Sequence, residues 1–369
     1  MAEWYEVTEP DQLDSPALII FPARVEENIR TLISMIDDVN RLRPHVKTSK
    51  SREACKLMMK AGIRKFKAAT IAEAEMLADC NAPDVLLAYQ PIGPKQKRFV
   101  DLIRRFPNTL FSCLIDSTSI ASQLDTLFSG NQLRVPVYVD LNVGMNRTGI
   151  VPGPEAIELY NDFVNAAGIA PTGLHVYDGH IHHIDFDRRK QECDESFAAV
   201  LKMKEALTDK LLPEPTIIAG GTPTFSIHCK RKGVECSPGT FIYWDKGYQI
   251  VCSEQPFLPA ALVVTRVISI PTGNRLCLDL GHKSIASEGD LAKRVHFLNA
   301  PGLTAIAHSE EHMVVQTQPQ DSFKPGDILY GLPYHICPTI ALHERAYTIV
   351  DGKISGEWRT VARDRKITI

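Results

Sequence analysis

The sequence predicts an α/β fold, a (β/α)8 TIM barrel followed by an all-β domain. Three observations lead there. Short β-rich runs alternate with amphipathic helical stretches through the first part of the chain, the pattern of a parallel sheet with crossover helices. Eight such runs can be counted, which suits a closed barrel. After about residue 255 the apolar period changes to two, in LVVTRVISI, RLCLDLGHK, MVVQTQ and DILYGL.

The eight runs are PALII (16–20), LRPHVK (42–47), KFKAAT (65–70), DVLLAYQ (84–90), TLFSCLID (109–116), VPVYVDLN (135–142), GLHVYDG (173–179) and PTIIAGG (215–221). Between them, stretches such as VEENIRTLISMI and AIELYNDFVNAA repeat their apolar residues every three or four positions, as helices do when one face packs on a sheet. An open doubly wound sheet is the alternative, but no GxGxxG turn follows the first run to support a dinucleotide-binding one. The chain closes on a hairpin pattern, AYTIV-DGK-ISGEWRTV. The predicted division is a barrel at 17–250 and a β domain at 255–369 that takes in residues 1–16.

Composition narrows the partners. A barrel absorbs about 250 residues, and 369 leaves room for one smaller domain. With 44% hydrophobic and 23% charged residues the chain can bury a large core. Lys and Arg total 41 against 44 acidic residues, so no basic field marks a nucleic-acid or anionic-lipid partner, and a small molecule is favoured. MAEWYEVTEP is not a basic-then-apolar leader, and no run of about 18 apolar residues occurs, so the expectation is a cytoplasmic protein without membrane association. Nine scattered cysteines with no CxxC pair predict reduced thiols rather than disulfides or a zinc knuckle.

Several clusters carry chemistry. On a strand, Arg43, His45 and Lys47 share one face, and burying three cations there requires anionic partners or a functional role. Crowded positive charge and desolvation favour a neutral lysine amine, the form that attacks an aldehyde. Gly220-Gly221-Thr222-Pro223-Thr224 and Ser237-Pro238-Gly239-Thr240 follow the last run; their glycines and threonines suit an anion cradle, and barrels commonly bind phosphate after strands seven and eight. Either could be an ordinary turn; with the upstream lysine they predict a phosphorylated-cofactor site. Arg147 and the segment Tyr177-Asp178-Gly179-His180 fall at strand ends, where barrel enzymes collect catalytic groups, and His180 suits an acid or base. His182 and His183 raise a His-rich metal loop, but no carboxylate spacing supports one. In Tyr334-His335-Ile336-Cys337-Pro338, His335 and Cys337 fall on one side of a predicted strand and can ligate one divalent ion, although such a pair alone is more often packing. Ser309-Glu310-Glu311-His312 adds a polar cluster.

Taken in order, Arg43–Thr48, Gly144–Gly149, Tyr177–His180, Gly220–Thr224, Pro238–Thr240, Glu310–His312 and His335–Pro338 resemble the D-threonine aldolase and D-serine dehydratase group of fold-type III pyridoxal-phosphate (PLP) enzymes, related to alanine racemase. The resemblance spans nearly the whole chain. It implies Lys47 as the Schiff-base lysine, Arg147 and Tyr177 beside the cofactor, Gly221, Thr222, Gly239 and Thr240 on its phosphate, and His335 and Cys337 on a zinc or manganese ion. It implies retro-aldol cleavage of D-β-hydroxy-α-amino acids to glycine and an aldehyde, with Lys47 and His180 as catalytic residues, the metal on the substrate hydroxyl, and a homodimer. Two departures stand out: Ser49 replaces a usual histidine, and Ser237 stands where racemases carry an arginine. Cysteine as the second metal residue is the dehydratase's mark, so elimination to a keto acid and ammonia is the alternative. A racemase and a non-catalytic PLP-binding protein are more remote ones.

Overall fold

The computed structural model describes residues 3–208, 214–319 and 321–369. The chain forms two compact units. The barrel unit comprises Leu32–Lys47, Cys55–Gly239 and Asp364–Ile369; the other gathers the chain up to Thr31, Thr48–Ala54 and Thr240–Arg363. The chain passes from one to the other five times, two of them between Lys47 and Thr48 and between Gly239 and Thr240.

The first strand, β1 (Ala17–Ile20), lies outside the barrel unit. Seven parallel strands follow in sequential order: β2 (Lys65–Ala68), β3 (Asp84–Leu87), β4 (Leu110–Ile115), β5 (Val135–Leu141), β6 (Ile169–Val176), β7 (Thr216–Ala219) and β8 (Val234–Cys236). Residues 42–46 fill the eighth place. On one side Arg43 N–H donates to Cys236 O (2.9 Å) and His45 N–H to Pro238 O (3.0 Å). On the other, Val46 N–H donates to Lys67 O (3.0 Å) and Lys67 N–H to Pro44 O (2.9 Å). Pro44 has no N–H to donate, which keeps this closing segment too irregular for a full strand.

Eight places are therefore present, but not the eight the sequence predicts. PALII is not a barrel strand: β1 pairs antiparallel with β9 (Ala261–Thr272) in the other unit's sheet. A four-residue apolar run buried at every position looks the same in either sheet. Its place is taken by β8, three residues with Glu235 in the middle and no apolar alternation to betray them.

The other unit continues with β10 (Arg275–Leu278), β11 (Val295–Phe297), β12 (Thr304–His308), β13 (Met313–Gln316), β14 (Ile328–Pro333), β15 (Arg345–Val350) and β16 (Lys353–Arg359). These form a mixed sheet in the order β12-β13-β10-β9-β1-β15-β16, with β14 on β9 and β11 on β14. The predicted strand at Tyr334–Pro338 is a second correction. β14 stops at Pro333, and His335 is the extended residue before a helix, Ile336–Leu342. Pro338 sits in that helix's first turn, where a missing N–H costs nothing, and the carboxylate of Asp245 accepts the Ile336 N–H (3.0 Å). His335 and Cys337 therefore flank a helix start instead of sharing a strand face.

Inside the barrel, Leu86, Leu114, Tyr138 and Ile218 form an apolar layer. Arg43 is 1% exposed and fully paired: its guanidinium reaches Asp84 through two bonds (2.6 and 3.0 Å) and Glu235 through a third (2.7 Å). Burial opposes its charge, yet Glu235 and Asp84 hold its pKa above the ordinary value. The anionic partners required for a buried Arg43 are thus in place. All nine cysteines are free. Among the described residues no helix is long and apolar enough to cross a membrane.

Candidate active site

The predicted barrel residues converge on the ring of Tyr177, just past β6. The Arg147 guanidinium lies 4.9 Å from its centroid, the Lys67 ammonium 5.6 Å and the Lys47 ammonium 5.8 Å. These are cation–π distances, so one aromatic face organises three cations. Lys47 ends the closing segment, its N–H donating to His45 Nδ1 (3.2 Å). Gly221 leaves room for the ring: a Cβ there would come within 3.1 Å of it. His180 packs on Gly144, in the loop that carries Arg147. Gly144 has φ +122°, and a Cβ on it would lie 2.6 Å from His180 Nε2.

The two glycine-bearing turns are joined, Gly239 N–H donating to Thr222 Oγ1 (3.2 Å). A buried chain of bonds anchors the first turn. Thr224 Oγ1 accepts from Gly221 N–H (3.3 Å) and donates to Asp178 (2.8 Å). The other oxygen of Asp178 accepts from His228 Nε2 (2.8 Å), and His228 Nδ1 accepts from Arg231 (2.5 Å). Burial opposes the Asp178 charge, but His228 and Thr224 hold its pKa below the ordinary range.

Asp178, Cys193 and His228 bring potential metal-ligand atoms within 4.8 Å of one another. The donor chemistry disfavours a cation there. Both imidazole nitrogens are engaged, the Arg231 guanidinium abuts them, and burial pushes the Cys193 thiol up to about 12, away from the thiolate a metal needs. The trio is better explained as the anchor of the phosphate-type turn.

Sequence reasoning missed the groups inside the barrel. Asp140 on β5 and His175 on β6 form a buried pair at 2.6 Å, and Lys67 on β2 is 3% exposed. The available signal was their position: charged residues alternating with apolar ones in strands otherwise buried on both faces. His175 Nε2, His180 Nδ1 and Ser237 Oγ are buried without a hydrogen-bond partner among the described residues. An amine, an aromatic ring with an arginine over it, joined turns offering donors, and these unsatisfied polar atoms together fit a phosphorylated aromatic aldehyde such as PLP.

Thr240, His335 and Cys337 belong to the other unit. There Cys337 Sγ lies 3.1 Å from Thr48 Oγ1 and 3.7 Å from Thr240 Oγ1. His335 is half-exposed and hydrogen-bonds Glu288; against partial desolvation, the Cys337 sulfur, with Asp245 and Glu288, pushes its imidazole up to about 9. A histidine and a cysteine side chain within reach of each other fit a divalent ion of borderline softness. Among the described residues the remaining clusters bring no three ligands together. Glu310 and Glu311 are exposed and pair with Lys283, His183 pairs with Glu192 (2.9 Å), and His182 stacks on His183.

Residues 20–246 match the family model described as alanine racemase, N-terminal domain, and residues 260–349 match the one described as "Putative serine dehydratase domain". The chain is 26% identical to a D-threonine aldolase of Arthrobacter sp., over 95% of this chain and 93% of that protein. It is 24% identical to a 3-hydroxy-D-aspartate aldolase of Paracoccus denitrificans, over 97% and 94%. Its fold superposes on the crystal structure of a D-threonine aldolase from Filomicrobium marinum with a TM-score of 0.88 at 25% identity, covering 95% of each chain. A second likeness, at TM-score 0.81 and 23% identity over 94% of this chain and 97% of the other, is to a D-threo-3-hydroxyaspartate dehydratase variant, a cysteine replaced by alanine, in the metal-free form. A companion variant of that dehydratase replaces a histidine two positions earlier. The chain belongs to the family of the alanine racemase N-terminal domain, with a domain of serine dehydratase type behind it.

Proposed function

We propose that this chain is a PLP- and divalent-metal-dependent lyase that cleaves D-β-hydroxy-α-amino acids to glycine and an aldehyde, as a D-threonine aldolase does. The whole-length likeness to the Arthrobacter D-threonine aldolase carries this reading. When bound, PLP supplies an electron sink for the charge that Cα–Cβ cleavage leaves on Cα. Lys47 provides the amine that attaches it. Arg147 and Tyr177 hold its ring, while Gly221, Thr222, Gly239 and Thr240 offer donors to its phosphate. His180 accepts the proton of the substrate's β-hydroxyl as the bond breaks. His335 and Cys337 hold the ion, zinc or manganese, whose contribution is Lewis acidity. The resemblance adds a homodimer to this reading.

Cys337 favours one second reading, elimination to a keto acid and ammonia. A histidine and a cysteine two positions apart are also the pair replaced in the dehydratase variants, one of them metal-free. In that scheme Lys47 removes the α-proton. Product analysis after incubation with D-threonine, D-serine and D-3-hydroxyaspartate tests both. Glycine plus an aldehyde is the expected result, ammonia plus a keto acid supports the second reading, and turnover of none of the three would refute the proposal.

A further inference from the structure

Lys67 has no assigned role, and its surroundings do not explain it as scaffold. It stands on β2 with 3% of its surface exposed. Its charged and titratable neighbours come from every side of the barrel. They are Arg43, His45 and Lys47 on the closing segment, Asp140 on β5, His175 on β6, and Tyr177, Asp178 and Arg147 beyond the strand ends. The two carboxylates are committed elsewhere, Asp140 to His175 and Asp178 to His228, and among the described residues neither forms an ion pair with Lys67. A buried ammonium in that position is costly unless an anion joins it.

A second observation points the same way. His175 is 4% exposed and its Nδ1 is bonded to Asp140, while its Nε2 is buried without a partner. Burial, and then the Lys67 ammonium, lower its pKa, so the imidazole is neutral, with its proton on the nitrogen facing the carboxylate. Nε2 is then an acceptor in need of a donor, as Lys67 is a donor in need of an acceptor. One chemical group satisfies both: an acidic oxygen that accepts from the ammonium as an oxyanion and from Nε2 once that nitrogen has taken up a proton, the oxygen's own where it arrives as a hydroxyl and one from water where it arrives as a carboxylate.

We propose that Lys67 and His175 form a receptor for an acidic oxygen carried by the cofactor or the substrate, the ring hydroxyl of the one or the carboxyl of the other. The inference rests on the PLP reading of Lys47. Lys67 and Lys47 stand against the same Tyr177 ring, so a ligand attached at Lys47 has such oxygens close at hand.

The receptor has a pH signature. Burial, with Lys47 next, lowers the Lys67 pKa to about 7. An oxyanion on the ammonium raises it again, so the gain in affinity is complete below about pH 7 and is lost as pH rises through the higher, ligand-bound value. The experiment measures PLP binding to the apoprotein and D-alanine binding to the holoenzyme from about pH 6 to about pH 9, in wild type, Lys67→Met and Lys67→Arg. Wild type should bind at least about tenfold tighter than Lys67→Met at the acid end. It should lose that advantage at up to about tenfold per pH unit, whereas Lys67→Arg keeps it throughout. The dependence in the PLP arm identifies the cofactor's oxygen, and in the D-alanine arm the substrate's. Lys67→Gln replaces Lys67→Met if the latter does not fold. Parallel profiles for wild type and the uncharged variant in both arms would overturn the receptor. PLP still attached at Lys47 in that case would leave the cofactor reading intact.

Discussion

Arg43 and Lys67 are both buried cations inside one barrel, and they differ in what surrounds them. Arg43 has every partner it needs, with Asp84 taking two bonds and Glu235 a third. Lys67 has a tyrosine ring at 5.6 Å and two carboxylates already engaged by histidines. A buried charge that is satisfied by its own chain belongs to the scaffold. One left unsatisfied by its own chain marks where another molecule is expected. Burial alone does not separate the two cases; the hydrogen-bond inventory does.

The comparison can be broken first at Arg43. Arg43→Met leaves Asp84 and Glu235 without their guanidinium, and losing one partner of a buried ion pair costs about 3–5 kcal/mol. Urea denaturation of the apoprotein should show that loss. Lys67→Met should move stability by less than about 1 kcal/mol or raise it, because no partner is abandoned. A comparable loss in both variants would erase the distinction between the two cations.

A smaller effect is expected at His228, which acts only through Asp178 and Thr224 on the turn holding Gly221. His228→Gln should weaken PLP binding about tenfold, the worth of one charge-assisted bond, while binding of pyridoxal, which lacks the phosphate, changes little. Equal losses for both ligands would mean that the chain of bonds merely supports the fold. Metal analysis of the same variant adds a check. The His228 trio should contain no bound metal in wild type, so the metal content should be unaltered.

Much of this was legible beforehand, for reasons specific to each element. The alternation of β-rich runs and helices gives the barrel, and the turns after the last runs give the anion cradle. PALII misleads because a short run buried on both sides carries no label for its sheet. Val234–Cys236 hides because its middle residue, Glu235, turns inward to Arg43. His335 and Cys337 read as a pair in the sequence, but their helix start does not, because it depends on Asp245, 91 positions away from Ile336. Lys47, Arg147, Tyr177 and His180 stand at strand ends, where a barrel's chemistry is sought. Lys67 and His175 lie within strands, where a polar residue reads as an irregularity until the opposite wall of the barrel is known.

Covalent attachment of PLP at Lys47 is the proposal on which the lyase reading rests. Reconstitution with PLP, reduction with borohydride and peptide mapping tests it most directly. A single pyridoxyl group on Lys47, absent from Lys47→Ala, is the expected result. A label on Lys67 or any other lysine, or none, would contradict it.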